Sequence, residues 1–168
     1  MNKRILILFI LVSGFTYAQS GLTEWDKTYE LTTAEDVIHY ERDYARAVEK
    51  DTAEAQYYVA MRKYRFIAEY TGHKRPIDSE VLQSMRNVFK LKMGRTDILN
   101  DLVSQEMEFD IGGSKVWMPI QNQLIDDIEY EASPGQKILL YCLFTNEHRS
   151  DDRLFNTFFI SEFLTRWE

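Results

Sequence analysis

Apolar residues recur along this chain at two spacings, and the change between them falls near Ser104. Before it they come every three to four residues, the repeat of one helix face; after it they alternate or run together, as strands do. Val37, Tyr40, Tyr44 and Val48 form one such stripe. Thr32 and Glu35 open it at the spacing of a capping box, in which a hydroxyl accepts an amide proton of the first turn and a carboxylate reaches back. Asp51-Thr52-Ala53-Glu54 reads as a second start, continued at helical spacing by Ala55, Tyr58, Val59, Arg62 and Phe66, so the expectation is two helices or one kinked near Asp51. Gly72 suits the left-handed residue that ends a helix, and Pro76 bars continuation. The clearest helix comes next. Asp78 caps it, Ile77 staples to Leu82, and Val81, Leu82, Met85, Val88, Phe89 and Met93 form its apolar face before Gly94 closes it. Residues 97–103 read as a short helical turn.

Beyond Ser104, Met107, Phe109 and Ile111 point one way while Glu106, Glu108 and Asp110 point the other. Gly112-Gly113 supplies the positive φ angles of a tight hairpin turn, and Val116, Met118 and Ile120 continue the inward face. Pro119 places the return strand near an edge, since a proline cannot donate to a central ladder. Leu124, Ile125 and Ile128 have helical spacing, and Pro134-Gly135 turns the chain back. The run Lys137-Ile138-Leu139-Leu140-Tyr141-Cys142-Leu143-Phe144-Thr145 is apolar without alternation, so both its faces want cover and it reads as a central strand. Leu154 to Ile160 is its antiparallel neighbour.

The first eighteen residues follow neither pattern. Asn2-Lys3-Arg4 is a short basic head, Ile5 to Phe15 an apolar run, and Thr16-Tyr17-Ala18 places small residues at the −3 and −1 positions. That is the layout of a cleaved secretory signal, shorter than the run of about 20 apolar residues that spans a membrane. Residues 1–18 are therefore predicted to leave, and the mature chain to begin at Gln19. Residues 19–168 are then one α+β domain, helical over 32–103 and mainly strand over 105–163. About three helices form an N-terminal layer on a twisted antiparallel sheet of four or five strands, open or curled into a small barrel. About 150 residues bury roughly two-thirds of their unfolded surface without metals or disulfides. Cys142 is the only cysteine, so no bridge forms within the chain, and its apolar setting predicts a buried, inert thiol.

Charge narrows the partners. The formal net charge of −7 becomes −9 once Lys3 and Arg4 leave with the signal. Phosphate backbones need clustered Lys and Arg, whereas Arg62-Lys63-Arg65 and His73-Lys74-Arg75 are short and interleaved with aromatics or placed at an element's end, so nucleic acid is not expected. Chemistry is sparse. His39 has Glu35 and Asp43 one helical turn to either side, but such pairs usually make a solvated charged face. The acidic groups Asp126-Asp127-Glu129-Glu131 and Asp151-Asp152 follow no calcium-loop pattern, and no serine sits in a nucleophile elbow. No catalytic, cofactor or metal residue is assigned.

Aromatics are the compositional excess, at 14% of residues with ten Tyr. Tyr40, Tyr44, Tyr57, Tyr58, Tyr64 and Tyr70 crowd one region on more than one face, so the core cannot take every ring. A surface tyrosine offers contact area and a hydroxyl at low entropic cost. The expectation is an exported binding module, periplasmic or extracellular, for another envelope protein, a peptide or a glycan, acting through those tyrosines with Trp117. The alternatives are a small hydrolase with dispersed catalytic groups and an acidic inhibitor or immunity-type protein.

Overall fold

The computed structural model describes residues 24–50, 58–148 and 154–167. The predicted signal, the start at Gln19, the second helix start at Asp51 to Ala55, Tyr57 and Asp151-Asp152 lie outside the described residues. The chain is α+β. Its elements are α1 (residues 24–28), β1 (Glu30–Leu31), α2 (Ala34–Lys50), β2 (Tyr58–Pro76), α3 (Ser79–Met93), α4 (Ile98–Leu102), β3 (Val103–Ile111), β4 (Ser114–Gln121), a 3₁₀ turn, α5 (Ile125–Glu131), β5 (Lys137–His148) and β6 (Leu154–Leu164).

The largest correction to the sequence reading is β2. Residues 58–76 form a strand of 19 residues where a helix ending at Gly72 was expected. Its burial repeats every two residues: Tyr64, Phe66, Ala68 and Tyr70 are buried, while Lys63 and Ile67 are exposed and Arg65 and Glu69 half-buried between them. Aromatic and β-branched residues fit this pleated, half-buried surface, and pairing along the strand outweighs the helical spacing of Tyr58, Arg62 and Phe66. Gly72 is left-handed, at φ +83°, but it serves a bulge rather than a helix end. Between Tyr70 and Lys74 the register slips: Tyr70 faces Phe109 and Lys74 faces Met107, so β2 carries extra residues. A bulge bends a strand and increases its twist. This bend lets β2 pair with β5 along 58–69 and with β3 along 69–76.

The sheet has six strands, counting the two-residue β1, in the order β1-β2-β3-β4-β6-β5, with β5 also returning to β2. It is mixed rather than antiparallel throughout, because β1 runs parallel to β2 and β4 meets β6 in parallel at the Ile120–Ile160 bridge. That single bridge leaves the curled sheet short of a clear barrel. Pro119 stands on β4 beside this weak seam, as its missing donor requires.

Two further local expectations hold, and a third is displaced by one residue. Asp78 caps α3, its Oδ1 accepting from the amides of Glu80 at 2.8 Å and Val81 at 3.3 Å, and Gly94 closes it at φ +73°. Gly112 and Gly113, both at positive φ, join β3 to β4. The cap of α2 falls one residue late: Thr33, not Thr32, accepts from the Asp36 amide at 3.1 Å and donates to its carboxylate at 2.8 Å.

β5 is the central strand, covered on both faces. Ile138, Leu140, Cys142 and Phe144 enter the main core with Phe66, Phe109, Met118, Ile128, Phe158 and Ile160. On the other face Leu143 packs with Met85 and Phe89 of α3. Leu139 and Tyr141 lie under Tyr29, Trp25 and Trp167. Those rings meet edge to face, Tyr29 at 5.6 Å and Trp25 at 5.8 Å from Tyr141. A polar clip holds the same segment: the Tyr141 hydroxyl donates to Asp26 at 2.7 Å, and Arg65 pairs with the same carboxylate at 2.7 Å.

This clip predicts an alkaline transition. Burial first, and Asp26 second, push the Tyr141 hydroxyl from its ordinary 10 up to about 12. A proton held more tightly in the folded state contributes stability that is complete below pH 10 and lost as pH rises towards 12. Burial also raises Tyr29, Tyr64 and Tyr70, so the wild-type midpoint should fall across this window. Tyr141→Phe should make that fall shallower in denaturant titrations between pH 8 and 12; an unchanged slope would discount the clip.

Candidate binding surface

Of the six tyrosines from residue 40 to 70, burial removes two from the surface: Tyr64 and Tyr70 belong to the core. Tyr57 lies outside the described residues, as does the side chain of Tyr58. Tyr40 and Tyr44 remain, 51% and 40% exposed, one turn apart on α2 and stacked with ring centres 6.5 Å apart at 24°. The i, i+4 spacing on a helix is what makes this pair.

Arg62 fixes one of these rings from the neighbouring strand. Its guanidinium carbon lies 5.2 Å from the centre of the Tyr40 ring, and its Nε is 3.6 Å from Glu41 Oε1. Glu41 is wholly buried while Arg62 is 42% exposed at its side chain. A buried carboxylate therefore anchors a cation that spreads over an exposed aromatic face, a contact that strengthens as the cation loses water. Tyr64 stands next to Arg62 on the same side of β2, and burial is the main reason its hydroxyl is raised and stays protonated.

Between α2, β1 and β2 these groups enclose a depression of about 330 Å³, lined by Glu30, Thr32, Asp36, Val37, Tyr40, Arg62 and Tyr64. Val37 and Tyr64, both buried, form its floor, and exposed Glu30 and Asp36 stand at its rim. The arrangement offers an aromatic face, three hydroxyls, two carboxylates and one guanidinium, which suits recognition.

The other sequence candidates go elsewhere. Glu35 and His39 line a second, smaller depression of about 120 Å³ with Ile38 and Val116, while Asp43 turns to Arg46 at 3.8 Å. Among the described residues no group of three His, Cys, Asp or Glu is placed to hold a metal. Asp126, Asp127, Glu129 and Glu131 are exposed on α5, where Glu129 pairs with Lys74 at 2.6 Å. Burial raises the nearby Glu162, with smaller contributions from Asp127 and Glu131. Trp117 is half-buried rather than exposed: Arg75 lies 4.3 Å above its ring while also bonding Glu106 at 2.8 Å. Cys142 is fully buried in the core, and burial pushes its thiol well above the usual range.

Five of the six residues in the two basic clusters meet carboxylates from other elements, and the sixth lies over a ring. Arg62 meets Glu41, Arg65 meets Asp26 and Lys63 lies over Tyr29. His73 meets Glu108 at 3.1 Å, Lys74 meets Glu129 and Arg75 meets Glu106. Sequence reasoning missed Arg62, Glu41, Glu30 and Asp36 as parts of one site, because it placed Arg62 on a helix. The usable signal was the alternation of β2, which sets Arg62 on the side of Tyr64 and Phe66.

No helix among the described residues is long and apolar enough to cross a membrane. No family model, curated protein or solved structure matches this chain.

Proposed function

We propose that this is an exported, non-catalytic binding module that engages a protein or peptide through Tyr40 and Tyr44. The observation that carries this is the stacked, exposed tyrosine pair oriented by Arg62 over a buried carboxylate. Interface energy concentrates in a few Tyr, Trp and Arg anchors, and anchors held rigid before binding lose less entropy on association. We read the curled sheet as an incompletely closed barrel whose interior is filled by Phe66, Phe144, Phe158 and their neighbours, which favours a surface site over an internal one. The carboxylates that pair with Arg62, Arg65, Lys74 and Arg75 support a partner other than nucleic acid.

The test is affinity capture from the native envelope, followed by alanine substitution. Tyr40→Ala and Tyr44→Ala should each weaken capture by about 2 kcal/mol while moving the unfolding midpoint little. Failure to capture any partner, or substitutions that change stability alone, would defeat the reading.

Export rests on the basic head, the apolar run and the Thr16-Tyr17-Ala18 ending. Intact-mass measurement of protein from the native host should give a chain beginning at Gln19. Recovery of Met1 in a membrane fraction would contradict it.

A further inference from the structure

The depression beside the tyrosine pair carries a chemical preference. Glu30 and Asp36 are exposed at its rim and stand outside the ion pairs found among the described residues. The Asp36 carboxylate accepts from the Thr33 hydroxyl at Oδ2, at 2.8 Å, which leaves lone pairs on the carboxylate for a further donor. The one cation in the lining, Arg62, is already matched by Glu41, so the depression as a whole is negative. The face of the Tyr40 ring is already covered by the Arg62 guanidinium at 5.2 Å, so the preference for a cation rests on the two carboxylates. A positive group entering here would meet two carboxylates, the Thr32 hydroxyl and an aromatic wall. An anion would meet Glu30 and Asp36 first.

We propose that the depression bounded by Glu30, Asp36, Tyr40 and Tyr64 receives a cationic side chain, arginine or lysine, of a protein partner. The inference rests on the tyrosine-surface reading above and adds the chemistry of the residue that docks there. A planar guanidinium fits best, because its fork of N–H donors can bond more than one carboxylate oxygen, here those of Glu30 and Asp36. An acidic domain meeting a basic partner also gains in encounter rate, and that gain is screened beyond about 10 Å at 0.1 M salt.

The test uses the isotope-labelled exported protein and three blocked tripeptides, acetyl-Gly-Arg-Gly-amide, acetyl-Gly-Lys-Gly-amide and acetyl-Gly-Glu-Gly-amide, followed by NMR. The Arg and Lys peptides should shift the Asp36, Tyr40 and Tyr64 signals saturably, with apparent affinity at least tenfold above that of the Glu peptide. The double variant Glu30→Gln/Asp36→Asn keeps the capping acceptor and should lose that tenfold; Glu30→Gln alone, at an exposed edge position, should lose part of it. Equal shifts from the Arg and Glu peptides, shifts that persist in the double variant, or no shifts at all would overturn the inference. Native capture separates the two levels. If a partner is captured through Tyr40 and Tyr44 but equally well by the double variant, the cationic docking fails and the binding reading stands; if Tyr40→Ala does not weaken capture, the binding reading itself fails.

Discussion

Phe66→Ala is expected to lower the unfolding free energy by about 3–5 kcal/mol, the range for truncating a fully buried phenylalanine. Phe66 is 1% exposed and meets Phe158 edge to face with ring centres 5.1 Å apart. Phe158 in turn lies 5.0 Å from Phe144, so the truncated ring would leave a void between β2 and β6, the two strands that flank β5. Neither strand can collapse into it alone, because Phe66 is paired with Leu140 of β5 and Phe144 with Phe158 of β6. Urea titration should show a lower midpoint with an unchanged slope, the signature of lost stability without a change in exposed surface. A loss well below that range would show that residue 66 is not packed between β2 and β6.

The contrast between β2 and β5 explains which parts of the fold were legible. β5 is readable because seven of its first nine residues are apolar, which leaves no polar face and forces cover on both sides. α3 is readable because a cap, a stripe and a closing glycine coincide within one stretch, and local and tertiary preferences agree. β2 misleads because its outward positions are not uniformly polar. Met61 and Ile67 interrupt the alternation on one side and Arg62 on the other, and the short apolar spacings left over resemble a helix. Its length added to the error, since a 19-residue strand is far longer than the usual five or six. Such a strand exists here because a bulge divides it between two partners, and neither bulges nor pairing partners leave a clear local signature.

The candidate surface was legible only as composition. An excess of tyrosine in one region implied that some rings stay outside, but which ones depends on the direction of each side chain. Tyr64 and Tyr70 go inward because β2 is a strand, and Tyr40 and Tyr44 stay outward because α2 turns Ala34, Val37 and Glu41 to the body. The Glu41–Arg62 pair joins two elements whose relation no spacing rule gives. Burying the Glu41 carboxylate costs desolvation, which the Arg62 guanidinium 3.6 Å away offsets in part. The balanced ion pairs on β2 and β3 show the opposite case, where charge runs that suggested patches resolve into cross-strand pairs worth little individually.

Gly72→Ala should cost at least about 2 kcal/mol, and part of that cost should depend on Pro134. At φ +83° an alanine incurs the left-handed penalty of about 1–2 kcal/mol whatever space surrounds it. Space is also lacking, because a β-carbon on residue 72 would sit 2.8 Å from Pro134 Cγ. The proline ring is stiff and its turn is fastened to the bend of β2: the Gly135 amide donates to the Tyr70 carbonyl at 2.8 Å, and the Tyr70 amide donates to Gln136 at 2.9 Å. Relieving the clash therefore means moving the entry to β5. Pro134→Ala removes the obstructing ring atoms, so in the double variant the steric share of the loss should vanish while the conformational share stays. Denaturant titration of the four proteins in the cycle measures this as a coupling of about 1 kcal/mol between sites 62 residues apart in sequence. A glycine ending a surface helix would show no coupling to Pro134, and a cycle that closes additively would remove the bulge from the account of how β2 bends.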